Sequence, residues 1–144
     1  MENDVVITFK RMSNDAVLPR FAYPEDACFD LFSPVDRTVP KGGSVIIDLE
    51  IASEIPAGYE VCLRPRSGLG IKHGIMLHPG TIDPGYRGNW LVRLFNLGNE
   101  DYHISRGDRI VQGALRPFPT IRIVEAGDLS EGRRGKNGLG STGR

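Results

Sequence analysis

The sequence predicts an all-β fold, a barrel or sandwich of short strands with at most one short helix. Three observations predict it. The apolar runs are short and rich in β-branched residues, several of them alternate with a period of two, and turn residues separate them at intervals of about 8–12 residues. The 144 residues include 18 glycines and 10 prolines, which punctuate the chain and leave little uninterrupted length for helices. No linker breaks the strand pattern before the last residues, so we expect one domain over 1–131 and a flexible arm over 132–144.

The expected strands follow in order. "VVITF" opens the series at 5–9, and "CFDLF" at 28–32 is the second run. "SVIIDLEIA" at 44–52 alternates most clearly. Val45, Ile47, Leu49 and Ile51 share one face, and Ser44, Ile46, Asp48 and Glu50 the other. "YEVCLRP" at 59–65 ends on a proline, and "RSGLGIKHG" after it is the one place where a short helix fits. "NWLVRLFNL", "YHIS", "RIVQGALRPF" and "TIRIVEA" complete the set. Between them stand "VPKGG", "IPAG", "HPG", "DPGYRG", "NLGNED" and "SRGD", all rich in residues that favour turns.

Charge narrows the function classes. The 18 Lys and Arg balance 18 Asp and Glu, which argues against a general nucleic-acid binder. The balance is uneven, because 132–144 holds Arg133, Arg134, Lys136 and Arg144 and no acid. A mobile cationic tail suits a small polyanion better than a long duplex. No run approaches the roughly 18 apolar residues of a membrane span. The start, "MENDVVITFK", lacks the pattern of a secretory signal, so a cytoplasmic protein is expected. Cys28 and Cys62 have no metal spacing and read as two small buried residues. His73, His78 and His103 form no cluster and read as structural or surface residues.

Five segments carry candidate chemistry. In the tail, Gly135, Gly138, Gly140 and Gly143 let backbone N–H groups approach a ligand, Ser141 and Thr142 add hydroxyls, and Arg134 adds a planar fork for phosphate oxygens. Ser141 stands where a P-loop would have its lysine, so this is not a P-loop. "PRSGLG" places Arg66, Ser67 and Gly68 at a strand end, as an anion nest or an ordinary turn. "HPGTIDPGYRG" reads as a hairpin. Asp83 between Ile82 and Pro84 suits a fixed general base or a turn cap, and Tyr86 offers a flat face. In "RGDRIVQ" the Gln112 amide suits a phosphate oxygen, while Asp108 and Arg109 read as structural partners. In "DACFDLFSP" Asp30 lies inside an apolar run and must pair with a cation or orient a hydrated metal.

Taken together, "ACFDLFS", "RPRSGLG", "GTIDPGYRG", "GDRIVQ" and "RRGKNGLGSTG" resemble the five motifs of the homotrimeric dUTPase family, in that family's order. The resemblance covers about residues 26–143 and implies a dUTPase-like β-barrel or jelly roll. It implies hydrolysis of dUTP at the α-phosphorus to dUMP and pyrophosphate, lowering dUTP and supplying dUMP, with Mg²⁺ on the triphosphate. Asp83 would activate the water. Tyr86 would pack under the deoxyribose and exclude a 2′-hydroxyl. Gly80, Thr81 and Ile82 would read the uracil edge, in a hairpin too narrow for a 5-methyl group. Arg66, Ser67, Gly68 and Gln112 would bind the phosphates. Asp30 would support the metal indirectly, through water or a neighbouring side chain. Arg134, Leu139, Gly140, Ser141 and Thr142 would close over the substrate. A homotrimer with shared sites is implied.

The sequence also departs from the family's pattern. Leu139 stands where an aromatic ring is usual, Asn137 replaces a glycine, and Cys28 and Phe29 replace Gly-Tyr. "IDPG" replaces the commoner acidic form after the catalytic aspartate. Two other readings stand beside the first. A dUTPase-fold nucleotide-binding regulator with weak turnover would fit Leu139. A dCTP deaminase relative would fit "IDPG", but Arg93 falls where its catalytic glutamate is expected.

Overall fold

The alternation at 44–52 shows how the chain builds its core. In the computed structural model, which describes residues 4–140, 142 and 143, Ile47, Leu49 and Ile51 are buried and Val45 packs against them. Ile46 on the opposite face is exposed. The run is nevertheless two strands, β4 (Ser44–Asp48) and β5 (Ile51–Glu54). Glu50 breaks it with φ of 55°, in the left-handed region. This kink sends β4 and β5 into different sheets while the inward face stays inward.

Among the described residues the strands form four antiparallel sheets. The largest is ordered β2-β11-β6-β8, from Phe29–Phe32, Arg109–Pro117, Tyr59–Pro65 and Gly80–Ile82. A second is β4-β9-β7, with β9 Leu91–Asn96 and β7 Ile75–Leu77. The pairs β1-β5 and β3-β10, with β1 Thr8–Arg11, β3 Arg37–Val39 and β10 Tyr102–Ile104, complete the set. Their inner faces share one core that includes Leu31, Ile47, Val61, Trp90, Leu94 and Val111. Trp90 is fully buried and satisfies its indole by donating to Ser53 Oγ at 3.2 Å. Gly113 faces Phe29 so closely that a Cβ would sit 2.5 Å from the ring. The fold is all-β with one short helix, as expected.

That helix, α1 (Ser67–His73), falls within the expected segment and ends at Gly74, whose φ of 69° suits a left-handed cap. No helix among the described residues is long and apolar enough to cross a membrane.

Four expectations change. "TIRIVEA" is not a strand: every described residue from Arg116 onward is exposed, Ile123 at 90%. The single chain offers this segment no partner strand, and an unpaired strand is not stable in water. The segment at 78–88 is not a closed hairpin. Strand β7 pairs with β9 and β8 pairs with β6, so His78 and Pro79 cross between sheets. Val5 and Val6 lie outside β1 and are exposed. Cys28 and Cys62 are free but only half-buried.

Candidate active site

Strand register assembles the first part of the site. In the largest sheet Gln112 on β11 lies between Asp30 on β2 and Arg64 on β6. Three residues distant in sequence therefore stand side by side. Beyond β6 the chain turns at Arg66 into α1. Arg66 caps the helix through backbone geometry alone, without a side-chain hydrogen bond. The first amides of a helix have no acceptor within it, so this corner presents free N–H groups. A cavity of about 330 Å³ opens here, and Asp30, Arg66, Ser67, Gly68 and Gln112 line it.

Asp30 holds this corner together. It is 8% exposed. Arg66 Nε approaches one carboxylate oxygen at 3.3 Å, and Arg109 Nε the other at 3.5 Å. Two cations thus satisfy a carboxylate that burial would otherwise make costly. Arg66 has a second anchor, because its guanidinium donates to the Arg109 carbonyl at 3.1 Å. Gln112 Nε2 donates to the Pro65 carbonyl at 3.0 Å. That bond fixes the amide at the cavity wall and leaves its second N–H for a ligand.

The second part of the site lies elsewhere on the chain. Strand β8 is the edge of its sheet, so half the backbone groups of Gly80, Thr81 and Ile82 face away from β6. A turn follows, closed by Tyr86 N–H donating to the Asp83 carbonyl at 3.1 Å. Pro84 and Gly85 fill its centre, as turn chemistry favours. Asp83 is exposed, and among the described residues its carboxylate has no ion pair. Arg87 braces the turn by donating to the Pro84 carbonyl at 2.6 Å. Tyr86 is 43% exposed, and its hydroxyl donates to the Asn89 carbonyl at 2.8 Å. Gly88 makes room for the ring, since a Cβ there would lie 2.6 Å from the hydroxyl.

The two parts do not meet within one chain. Ile82 pairs with Val61, so Asp83 lies level with Glu60, five residues along β6 from Pro65. At strand rise this is roughly 17 Å. The tail residues stand apart as well. Arg134, Leu139, Gly140 and Thr142 are exposed and line no part of the cavity, and Ser141 lies outside the described residues.

Sequence reasoning missed two features. Arg109 pairs with Asp30, and Asp108 instead accepts the Ser105 N–H at 2.8 Å. Arg109 stands opposite Phe32, two residues from Asp30 along β2, and a single motif does not reveal that diagonal contact. Asn89 and Asp48, which meet at 2.9 Å, are 41 residues apart and carry no motif signal. On β6, where Cys62 pairs with Thr81 of β8, burial and then the neighbouring Glu60 carboxylate push the Cys62 thiol above its ordinary range.

Comparison with known proteins decides the family. The dUTPase family model matches residues 14–143. The chain belongs to the dUTPase family. It is 39% identical over 143 residues to the deoxyuridine 5′-triphosphate nucleotidohydrolase of Clostridium tetani, covering 98% of this chain and 99% of that protein. The enzyme of the same name from Nautilia profundicola is 41% identical over 140 residues, covering 96% of this chain and 99% of that protein. Among solved structures, the Staphylococcus bacteriophage 80alpha dUTPase with dUPNHPP superposes with a TM-score of 0.86 at 27% identity. That match covers 96% of this chain and 99% of the phage chain. The all-β architecture is therefore the dUTPase fold, and the deaminase and regulator readings gain no support.

Proposed function

We propose that this chain hydrolyses dUTP to dUMP and pyrophosphate at a site assembled from more than one copy of itself. The observation that carries the reading is the cavity at the head of α1. It gathers Asp30, Arg66, Ser67, Gly68 and Gln112 from three separate motifs of a chain whose relatives are dUTP nucleotidohydrolases. Cations, helix amides and a side-chain amide together suit a polyphosphate.

Asp83 takes a proton from a water molecule, whose oxygen attacks the α-phosphorus of dUTP. The bond from that phosphorus to the bridging oxygen breaks, and pyrophosphate leaves. Asp83 is exposed and has no ion pair among the described residues, which suits a base that must meet a water on the substrate. Arg66, Ser67, Gly68 and Gln112 hold the phosphate oxygens. The outward backbone groups of β8 read the uracil edge. Tyr86 supports the deoxyribose. The arm with Arg134, Leu139, Gly140, Ser141 and Thr142 orders over the bound triphosphate; its contacts there offset the lost chain entropy, and closure excludes water.

Among the described residues no three His, Cys, Asp or Glu side chains are grouped to hold a metal ion. Asp30 is occupied by Arg66 and Arg109 and does not fit direct ligation. Mg²⁺, when present, would be carried by the substrate phosphates rather than by these side chains and would neutralise their charge. Asp30 would support it only indirectly, by holding Arg66.

The gap of roughly 17 Å between Asp83 and Pro65 argues for the shared site. A triphosphate with its attacking water is shorter than this gap. On this reading Asp83 of one copy serves the phosphate corner of another, as a closed homotrimer permits.

A pyrophosphate-release assay with dUTP, dCTP, dTTP and UTP tests the reading. Turnover of dUTP alone is expected. Ammonia from dCTP, or dUTP binding without turnover, would overturn it.

A further inference from the structure

The turn that carries Asp83 and Tyr86 rests on a chain of hydrogen bonds reaching back to the kink between β4 and β5. Tyr86 donates its hydroxyl hydrogen to the Asn89 carbonyl. Asn89 Nδ2 donates to Asp48 Oδ2 at 2.9 Å. The other Asp48 oxygen accepts the N–H of Glu50 at 2.7 Å. Glu50 is the one non-glycine among the described residues with positive φ, and Ser13 donates its hydroxyl to the Glu50 carboxylate. Trp90 pins the same loop from its far side. Its N–H donates to the Ile51 carbonyl at 2.9 Å, and its carbonyl accepts the Leu49 N–H at 2.9 Å. The loop is thus fastened to both sides of the kink.

We propose that Asp48 and Asn89 are a positioning pair that sets the tilt of the Tyr86 ring, and so the rejection of nucleotides bearing a 2′-hydroxyl. The proposal rests on reading Tyr86 as the support for the sugar. Ring position is the sensitive quantity, because a small tilt opens or closes the space for one oxygen atom. Three contacts fix that position: the hydroxyl on the Asn89 carbonyl, the absent side chain at Gly88, and the turn bond to Asp83. Asp48 governs the first, since its carboxylate holds Asn89 in place. A half-exposed ring with its one polar atom anchored through Asn89 loses its reference point when that anchor shifts.

The test compares kcat/KM for dUTP with kcat/KM for UTP in the full-length protein. Asn89→Asp sets two carboxylates against each other, and the dUTP-to-UTP ratio falls about tenfold. Asp48→Asn combined with Asn89→Asp restores donor and acceptor with exchanged roles, and the ratio returns to within about twofold of the parent. Tyr86→Phe lowers the ratio as Asn89→Asp does, and the two changes together lower it no further. An unchanged ratio in folded Asn89→Asp overturns the proposal. So does an exchanged pair that melts like the parent without restoring selection, or losses that multiply. Should Asn89→Asp fail to fold, the exchanged pair and Tyr86→Phe decide alone. Tyr86→Ala separates the two layers. If it leaves the ratio intact, the sugar-support reading fails. If it collapses the ratio while Asn89→Asp does not, only the positioning pair fails.

Discussion

Replacing Asp30 by asparagine perturbs the site at its most constrained point. The change keeps shape and removes charge, so Arg66 and Arg109 each lose an ionic partner. Removing one member of a fully buried ion pair costs about 3–5 kcal/mol, and breaking a surface pair about 0–1. The Asp30 side chain is 12% exposed, and those of Arg66 and Arg109 are 33% and 43% exposed. Water therefore recovers much of the cations' solvation, and the cost falls to about 2 kcal/mol. For a chain of this size that lowers the melting temperature by about 6 °C. Arg66 keeps only its bond to the Arg109 carbonyl, so it wanders. The kcat/KM for dUTP falls at least about tenfold, the equivalent of one charge-assisted hydrogen bond. Thermal unfolding and pyrophosphate release read the two effects. A variant that melts with the parent and turns over dUTP as fast would refute the claim that Asp30 organises the cavity.

Three further outcomes are expected. Asp83→Asn abolishes turnover while binding of a non-hydrolysable dUTP analogue, read by calorimetry, stays close to the parent's. Deleting 132–144 leaves a folded protein with almost no turnover, because every described residue there is exposed and the core needs none of them; full activity in the truncated protein would remove the arm from the account. Cys62 alkylates slowly at pH 8, since burial and Glu60 hold its thiol in the protonated form; Glu60→Gln speeds the reaction with iodoacetamide by removing the carboxylate charge beside the thiol.

Much of the fold is legible because it follows from local pattern. The period-two run at 44–52 names its buried face correctly, and the Pro and Gly turns fall where strands end. What stays hidden depends on partners that local pattern does not specify. The alternation of "SVIIDLEIA" does not announce that Glu50 turns left-handed, because two of the residues that fasten the kink, Ser13 on the Glu50 carboxylate and Asn89 on Asp48, lie far away in sequence. "TIRIVEA" has a strand's composition and no strand, because composition does not supply a neighbouring edge. The hairpin at 78–88 fails for the same reason: β6 and β9 take β8 and β7 away from each other. At the site, residue types singled out Arg66, Ser67 and Gln112, and the fold brings all three to one cavity. The diagonal contact of Arg109 with Asp30 across β2 and β11 and the β6–β8 register that sets Asp83 apart from them become visible only in the fold.

That separation allows a direct measurement. Two inactive variants, Asp83→Asn and Arg66→Ala, are mixed under conditions of verified subunit exchange, and dUTP turnover is followed. If one copy's Asp83 serves another copy's phosphate corner, mixed assemblies contain intact sites, and activity returns to about a quarter of the parent's. If each chain held a whole site, exchange would restore nothing, and mixtures as inactive as their components would contradict the account.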